Sequence, residues 1–350
     1  MKVSNPSPPA TPAPMAERKR GHIDVVLSGR AQAHSVEAGF EALRFEHCAL
    51  PELDLEAIDL STQFLGKRLA RPFLISSMTG GQAGAEQINT ALAEAAQELG
   101  IALGVGSQRI ALAEGGHRGI DASLRRRAPD IPLYGNIGAG QLRRDFGSAA
   151  LLRAVEMIGA DALIVHLNPL QEALQANGDT RWSGLLGQIE RLCAELPVPV
   201  IVKEVGFGIS APVALRLVGC GVAAIDVAGA GGTSWSAVEG AMSADPRRAA
   251  LAELYRDWGI PTATALREVR AALPALPLIG SGGIRSGLDA AKAIHLGADL
   301  VGQAGALLQA ATQGVQAVLD HFAQLEDALR LACFATGSKD LAALRRVRLL

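Results

Sequence analysis

From Pro72 to Gly305 one unit recurs eight times: a short apolar run, a glycine-rich or polar turn, then an amphipathic stretch. The runs are Phe73–Met78, Ile101–Ser107, Leu133–Ile137, Ala162–Leu167, Val200–Val205, Ala223–Ala228, Leu278–Gly282 and Leu300–Ala304. Several are almost continuously apolar, as strands buried on both faces must be, and stretches such as Gly84–Leu99 and Ser148–Ile158 carry helical spacing. Alternating strands and helices pair in parallel through right-handed crossovers. Eight such units in about 250 residues predict an α/β fold, a closed (β/α)8 TIM barrel, rather than an open sheet.

The rest of the chain is organised around that barrel. Residues 1–17 carry five of the seventeen prolines and little that can form a core, so a flexible tail is expected there. Residues 18–70 form an N-terminal extension expected to cover one end or edge of the barrel, and residues 71–350 are the barrel itself, with no second domain. Two connections, Asn168 to about Arg181 and Gly229 to about Gly259, exceed plain strand-to-helix loops, and both follow strand C-termini, where barrels keep their chemistry.

Charge and cysteine content exclude several classes. Lys and Arg number 33 against 35 Asp and Glu, so no basic surplus is available for nucleic acid. The longest apolar run, Leu217–Ile225, lies between Arg216 and Asp226 and is far short of the ~20 residues that cross a membrane. Residues 1–17 also lack the apolar stretch of a secretory signal. Cys48, Cys193, Cys220 and Cys333 have no paired spacing and are expected to be small buried thiols, not disulfides or zinc ligands. A cytoplasmic protein is expected.

The strand ends carry the chemistry. Ile279 to Arg285 (Ile-Gly-Ser-Gly-Gly-Ile-Arg) closes the seventh run and Gly302-Gln303-Ala304-Gly305 the eighth. Glycines let backbone amides approach an anion, and the loops after strands seven and eight of barrels often hold phosphate. Either alone is equally well a tight turn; both at those two strands point to a phosphate-bearing ligand. Ser76 to Gly81, Ser107, Asn136, Lys203 and Gly231 to Ser234 would ring a flat polar cofactor at the mouth. A Lys inside Val-Ile-Val-Lys-Glu-Val is costly to bury without a partner, and near a reduced flavin it would stabilise negative charge. His166, Asn168, Gln171 and Glu172 converge after the fourth run and would suit a diphosphate with its Mg²⁺. Arg18, Lys19, Arg20 and His22 fit either a solvated basic cluster or an arm closing over the mouth of this or a neighbouring subunit. Arg125-Arg126-Arg127 is expected to be an exposed helix face.

Taken together, these residues resemble the type 2 isopentenyl-diphosphate δ-isomerases, the flavin-dependent form. The resemblance rests on Arg18-Lys19 with His22, Ser77 to Gly81, Gly106 to Arg109, Asn136 to Gly138, His166 to Glu172, Val202 to Glu204, Gly231 to Trp235, Ser281 to Arg285 and Ala304-Gly305. It implies interconversion of isopentenyl and dimethylallyl diphosphate, with FMN, NADPH as reductant, Mg²⁺, and a homotetramer or homo-octamer. Carried over by position, Ser77, Met78, Thr79, Ser107, Asn136, Lys203, Thr233, Gly283, Ile284, Arg285, Ala304 and Gly305 would hold FMN. Arg18, Lys19, His22, Ser107, Gln108, Arg109, Asn168 and Gln171 would face substrate, and Glu172 would bind Mg²⁺. Gln171, Lys203 and His166 would serve catalysis. The chain departs from the family pattern at Ala228, where a Ser is usual, and at Arg20-Gly21, where an acidic residue usually precedes the His.

Such an isomerisation adds a proton at one carbon and removes one from another, without net redox change. No carboxylate pair marks the barrel mouth in the sequence, so reduced FMN is the expected acid–base group. The competing reading is an FMN oxidoreductase. A hydroxy-acid oxidase needs a His beside an Arg near the seventh strand, but Ser281 to Gly287 holds Arg285 and no His. A nucleotide dehydrogenase needs a nucleophilic Cys in a mobile loop, whereas Cys220 stands between glycines at a helix end. A non-catalytic sensor of a phosphorylated metabolite is the third possibility.

Overall fold

A computed structural model describes residues 15–78, 85–114, 119–144 and 147–350, without the side chains of 15–20, 113–114 and 143–144. The expected tail (through residue 14), Thr79 to Gly81, and the side chains of Arg18 and Lys19 lie outside the described residues.

The described residues form ten strands: β1 Thr62–Phe64, β2 Lys67–Leu69, β3 Phe73–Ile75, β4 Ala102–Gly104, β5 Leu133–Gly138, β6 Ala162–His166, β7 Val200–Lys203, β8 Ala224–Asp226, β9 Leu278–Ser281 and β10 Leu300–Gln303. β3 to β10 pair in parallel, each with its neighbours in sequence, and β10 returns to β3 to close the barrel. All eight apolar runs thus become barrel strands, and the stretches read as helical fold as Ala85–Leu99 and Ser148–Ile158.

Strand periodicity sorts the side chains. Phe73, Leu103, Leu133, Leu163, Val202 and Ile225 point outward into the main core beneath the helices. Leu74, Tyr134, Ala162, Ile201, Ala224 and Leu300 point inward and fill the lower barrel. Phe64 and Leu69 join that inner cluster from the β1–β2 hairpin, which plugs the N-terminal end. The hairpin turns on two residues, Leu65 at φ 47° and Gly66 at φ 79°, the positive pair that a tight antiparallel hairpin with native twist requires.

The extension therefore covers both ends, not one. Its helix Met15–Leu27, which starts ahead of the expected boundary at residue 18, lays His22, Ile23 and Val26 over the mouth. The two long connections fold as helices: Pro169–Leu174 in the first, Trp235–Met242 and Pro246–Leu254 in the second.

Arg125 is not part of an exposed face. Its guanidinium donates to the carbonyls of Ala128, Ile131 and Gly159 and to Asp161, whose carboxylate also accepts the Leu133 amide. Only Arg126 and Arg127 are exposed. Arg270 repeats the arrangement, donating to Pro274, Leu276 and Gly297 carbonyls and to Asp299, which accepts the Leu278 amide. Of the cysteines, Cys333 is buried and the other three are half-buried; all four are free thiols.

Candidate active site

The C-terminal ends of β3 to β10 open into a cavity of about 410 Å³ under the Met15–Leu27 helix. Two differently built walls meet in it. One is made of backbone. After β9, Gly282 sits at φ 99°, and a Cβ there would lie 2.2 Å from the Gly229 carbonyl oxygen, so only glycine permits this turn. Gly232 packs as tightly, its absent Cβ falling 2.6 Å from the Gly283 nitrogen. Thr262 Oγ1 donates to the Gly282 carbonyl at 2.7 Å, and Arg285 Nη2 reaches the Gly231 carbonyl at 3.1 Å. Gly283, Ile284, Arg285, Ala304, Gly305 and Thr233 all border the cavity on this side.

The opposite wall is made of side chains. His166 Nδ1 donates to Asn136 Oδ1 at 2.8 Å. Asn168 Nδ2 donates to Gln171 Oε1 and Glu172 Oε1, each at 3.1 Å. The second Glu172 oxygen accepts the Asp179 amide at 2.7 Å. Gln171 Nε2 in turn donates to Glu239 Oε1 at 2.9 Å, and that oxygen lies 3.3 Å from His22 Nε2. The His22 ring stands edge-on to Trp235, 5.3 Å between centroids.

Lys203 lies between the walls. Barrel register places it beside His166 on one strand and Asp226 on the other. It is 8% exposed, and its Nζ donates to the Glu204 carbonyl at 2.5 Å. The cost of burying this amine is thus met by a carbonyl and a neighbouring carboxylate. Asp226 accepts from Ser281 Oγ at 2.7 Å; burial pushes its carboxyl up, against the Lys203 charge, which holds it down. Burial likewise raises the Glu204 carboxyl to about 7, although the amides of Val205, Gly206 and Phe207 all donate to it and favour the anion.

Ser76 Oγ and Ser77 Oγ are buried, border the cavity and have no hydrogen-bond partner among the described residues. Buried hydroxyls are rarely left unpaired, so a polar ligand is expected against them. Together with the glycine-walled turn and Lys203, this donor set fits a flavin phosphate and ring. For a cation, the described residues hold no cluster of three or more His, Cys, Asp or Glu. Glu172 instead fits the sparse kind of Mg²⁺ site, one carboxylate with the remaining positions left to substrate phosphate and water.

Nearly every sequence-predicted site residue with a described side chain borders this cavity, including His22, Ser77, Met78, Ser107, Arg109, Asn136, His166, Asn168, Gln171, Glu172 and Lys203. Gln108 is the correction. It is fully buried behind the strands, donating to the Ala154 carbonyl at 2.8 Å and accepting the Asn136 amide at 2.9 Å, so it buttresses Asn136 and does not face substrate. Glu239 was not singled out in the sequence. Its signal was present: it follows Trp235 by four residues, one helical turn, and it is the one charged residue of the helix Trp235–Met242. Ala228, the departure from the family pattern, adopts φ 37°, and its carbonyl accepts the Gly208 amide.

A parallel barrel with a glycine-walled anion turn and an inward lysine belongs to the class of flavin-binding (β/α)8 proteins. The model of the FMN-dependent dehydrogenase family matches residues 16–116 and 149–349. An isopentenyl-diphosphate delta-isomerase of Xanthobacter autotrophicus is 63% identical over 95% of this chain and 96% of its own, and one of Vibrio parahaemolyticus is 61% identical over 96% and 99%. The chain belongs to the FMN-dependent dehydrogenase family and, within it, to the isopentenyl-diphosphate delta-isomerases. Among solved structures, a lactate oxidase of Pediococcus acidilactici aligns with TM-score 0.68 at 17% identity, covering 95% of this chain and 93% of that one. A flavocytochrome b2 aligns with TM-score 0.69 at 18% identity, covering 93% and 81%. These two share the barrel; at such identity the likeness is one of fold.

Proposed function

We propose that this enzyme interconverts isopentenyl diphosphate and dimethylallyl diphosphate, a step of isoprenoid biosynthesis, using FMN kept reduced by NADPH, and Mg²⁺. The observation that carries the proposal is the pairing of two walls in one cavity: a backbone turn suited to a flavin phosphate, facing a chain of amide and carboxylate side chains suited to a metal-bound diphosphate. A hydroxy-acid oxidase would need a histidine in the turn after β9, and none stands between Ser281 and Gly287.

FMN, when bound and reduced, supplies an acid–base group and an anionic ring. The protein's own residues have distinct tasks around it. Ser77, Met78, Ser107, Asn136, Thr233, Gly283, Ile284, Arg285, Ala304 and Gly305 are proposed to bind FMN, with Thr79 completing the first loop. Lys203 balances negative charge and, being buried, acts in a medium of low dielectric where its field is strong. Glu172, oriented by Asn168 and the Asp179 amide, holds Mg²⁺ against the diphosphate. His166 and Arg109 bind the anionic end. Gln171, backed by Glu239, is placed to hold or move the second proton. His22 and Trp235 exclude water above it. Arg18 and Lys19, from this or a neighbouring subunit of a homotetramer or homo-octamer, close the mouth. A cytoplasmic location belongs to the same proposal.

The test is direct. Purified protein with anaerobically reduced FMN, Mg²⁺ and isopentenyl diphosphate should yield dimethylallyl diphosphate by NMR, with many turnovers per NADPH consumed. Stoichiometric NADPH oxidation, or reduction of the flavin by a 2-hydroxy acid, would replace the isomerase with an oxidoreductase.

A further inference from the structure

We propose that Gln303 and His321 form a positioning pair that holds the turn after β9 in the shape that receives the flavin phosphate. This deepens the flavin reading of the cavity and rests on it.

Gln303 is the last residue of β10, 3% exposed, immediately before Ala304-Gly305. Its Nε2 donates to the Ile284 carbonyl at 3.0 Å, so one side chain joins the two turns, after β9 and after β10, that border the anion end of the cavity. Because the amide nitrogen faces a carbonyl, Oε1 must face the other way. It meets His321 Nε2 at 2.6 Å, which requires the proton of the imidazole on Nε2.

His321 projects from the long helix Val315–Ala335, half-buried, its ring edge-on to Phe322 at 5.6 Å. Phe322 is fully buried and packs against Phe73 of β3. Burial also lowers the His321 pKa, which favours the neutral ring. The helix is thus a rigid anchor, and Gln303 transmits its position to the turn.

The turn needs such an anchor. Gly282 and Gly283, at φ 99° and 69°, give it conformational freedom that an anion site must lose before it binds. Thr262 holds the Gly282 carbonyl, Asp289 accepts the Arg285 amide at 3.1 Å, and Gln303 holds the Ile284 carbonyl. The peptide plane between Ile284 and Arg285 is therefore gripped at both ends, its amide by Asp289 and its carbonyl by Gln303. Without His321, the buried Gln303 oxygen loses its donor and the amide can rotate away from Ile284.

The experiment compares FMN with riboflavin, which has the same ring and no phosphate, titrated by fluorescence into flavin-free protein. The parent should bind FMN more tightly. Gln303→Met and His321→Phe, the latter keeping a ring on Phe322, should each raise the FMN Kd about tenfold and leave the riboflavin Kd unchanged. His321→Gln, which keeps a donor at similar reach, should restore most of the FMN affinity, and it serves as the working variant if His321→Phe fails to fold. A parent that binds both flavins alike would overturn the phosphate reading of the turn and the pair with it. A parent that prefers FMN, with variants that keep the full preference or lose both affinities equally, would overturn the pair alone.

Discussion

β5–β6 and β9–β10 lie half a barrel apart and are built alike at one end and differently at the other. At the N-terminal end, Arg125 with Asp161 and Arg270 with Asp299 make the same clamp down to the amide each aspartate accepts, Leu133 in one and Leu278 in the other. Even the outer aspartate oxygens match: Lys67 lies 2.9 Å from Asp161 Oδ1, and Arg345 lies 2.7 Å from Asp299 Oδ1. At the C-terminal end one pair carries Asn136 and His166, whereas the other carries Ser281, Gly282 and Gln303 beside a backbone turn. The same frame therefore supports two recognition chemistries, one of side chains and one of peptide groups. The bottom of each pair answers to stability and the top to a ligand.

The largest expected effect tests the shared end. Arg125→Ala and Arg270→Ala should each lose about 3 kcal/mol in denaturant unfolding, since each takes one of two cations from a partly buried aspartate and leaves several carbonyls without their donor. Flavin affinity of the folded fraction should be unchanged in both. Very unequal losses would mean that the two clamps share geometry but not weight. Acid sharpens this for the first clamp. Although burial raises the Asp161 carboxyl, the Leu133 amide, Lys67 and Arg125 hold it below its usual value. Its contribution is present above the ordinary carboxylate range and disappears as pH falls through the lowered pKa, so the parent should lose more stability in acid than Arg125→Ala does.

Lys203→Met comes next, because Lys203 lies between the two chemistries. The variant should fold and bind FMN but lose about 100-fold in kcat, as removal of a preorganised charge does. A spectroscopic titration should show a raised pKa for the reduced flavin. An unchanged titration and rate would make Lys203 a structural residue. Glu172→Gln tests the side-chain wall alone: Mg²⁺-dependent KM should rise about tenfold while the FMN Kd stays constant. Wild-type kinetics across a Mg²⁺ titration would remove Glu172 from metal binding. The smallest effect is assigned to the arm, where Arg18→Ala with Lys19→Ala should raise KM about fivefold with FMN retained, and deletion of residues 1–14 should change nothing. Equal kinetics for the double variant and the parent would return that cluster to solvated surface.

The eight strands were legible because both faces of a parallel barrel strand are buried, which leaves an unbroken apolar run that tertiary context has little room to alter. The glycine turn and the inward lysine were legible for a related reason: each is expensive anywhere except where a ligand or partner compensates it. Gln108 was misplaced because spacing locates a residue at a strand end but not the side of the sheet its long side chain takes, and the space at Gly135 lets it run behind the strands to the Ala154 carbonyl. A Cβ on Gly135 would lie 2.9 Å from Gln108 Oε1. Arg125 sat in a run of three like charges, and only packing revealed that one of them is spent on carbonyls. Glu239 belongs to the site through a bond to a residue 68 positions away.

What the sequence determined by itself was local and repetitive: strand, helix, the turns only glycine can make, and the set of strand ends where chemistry is available. The tertiary structure decided which of those ends share a cavity, which charges face one another across it, and that a single extension reaches both ends of the barrel. The physical reason is the range of the forces. Burial periodicity and φ limits act within a few residues, whereas the contacts of Lys203 with Asp226, of Gln171 with Glu239 and of Gln303 with His321 exist only once the barrel has closed.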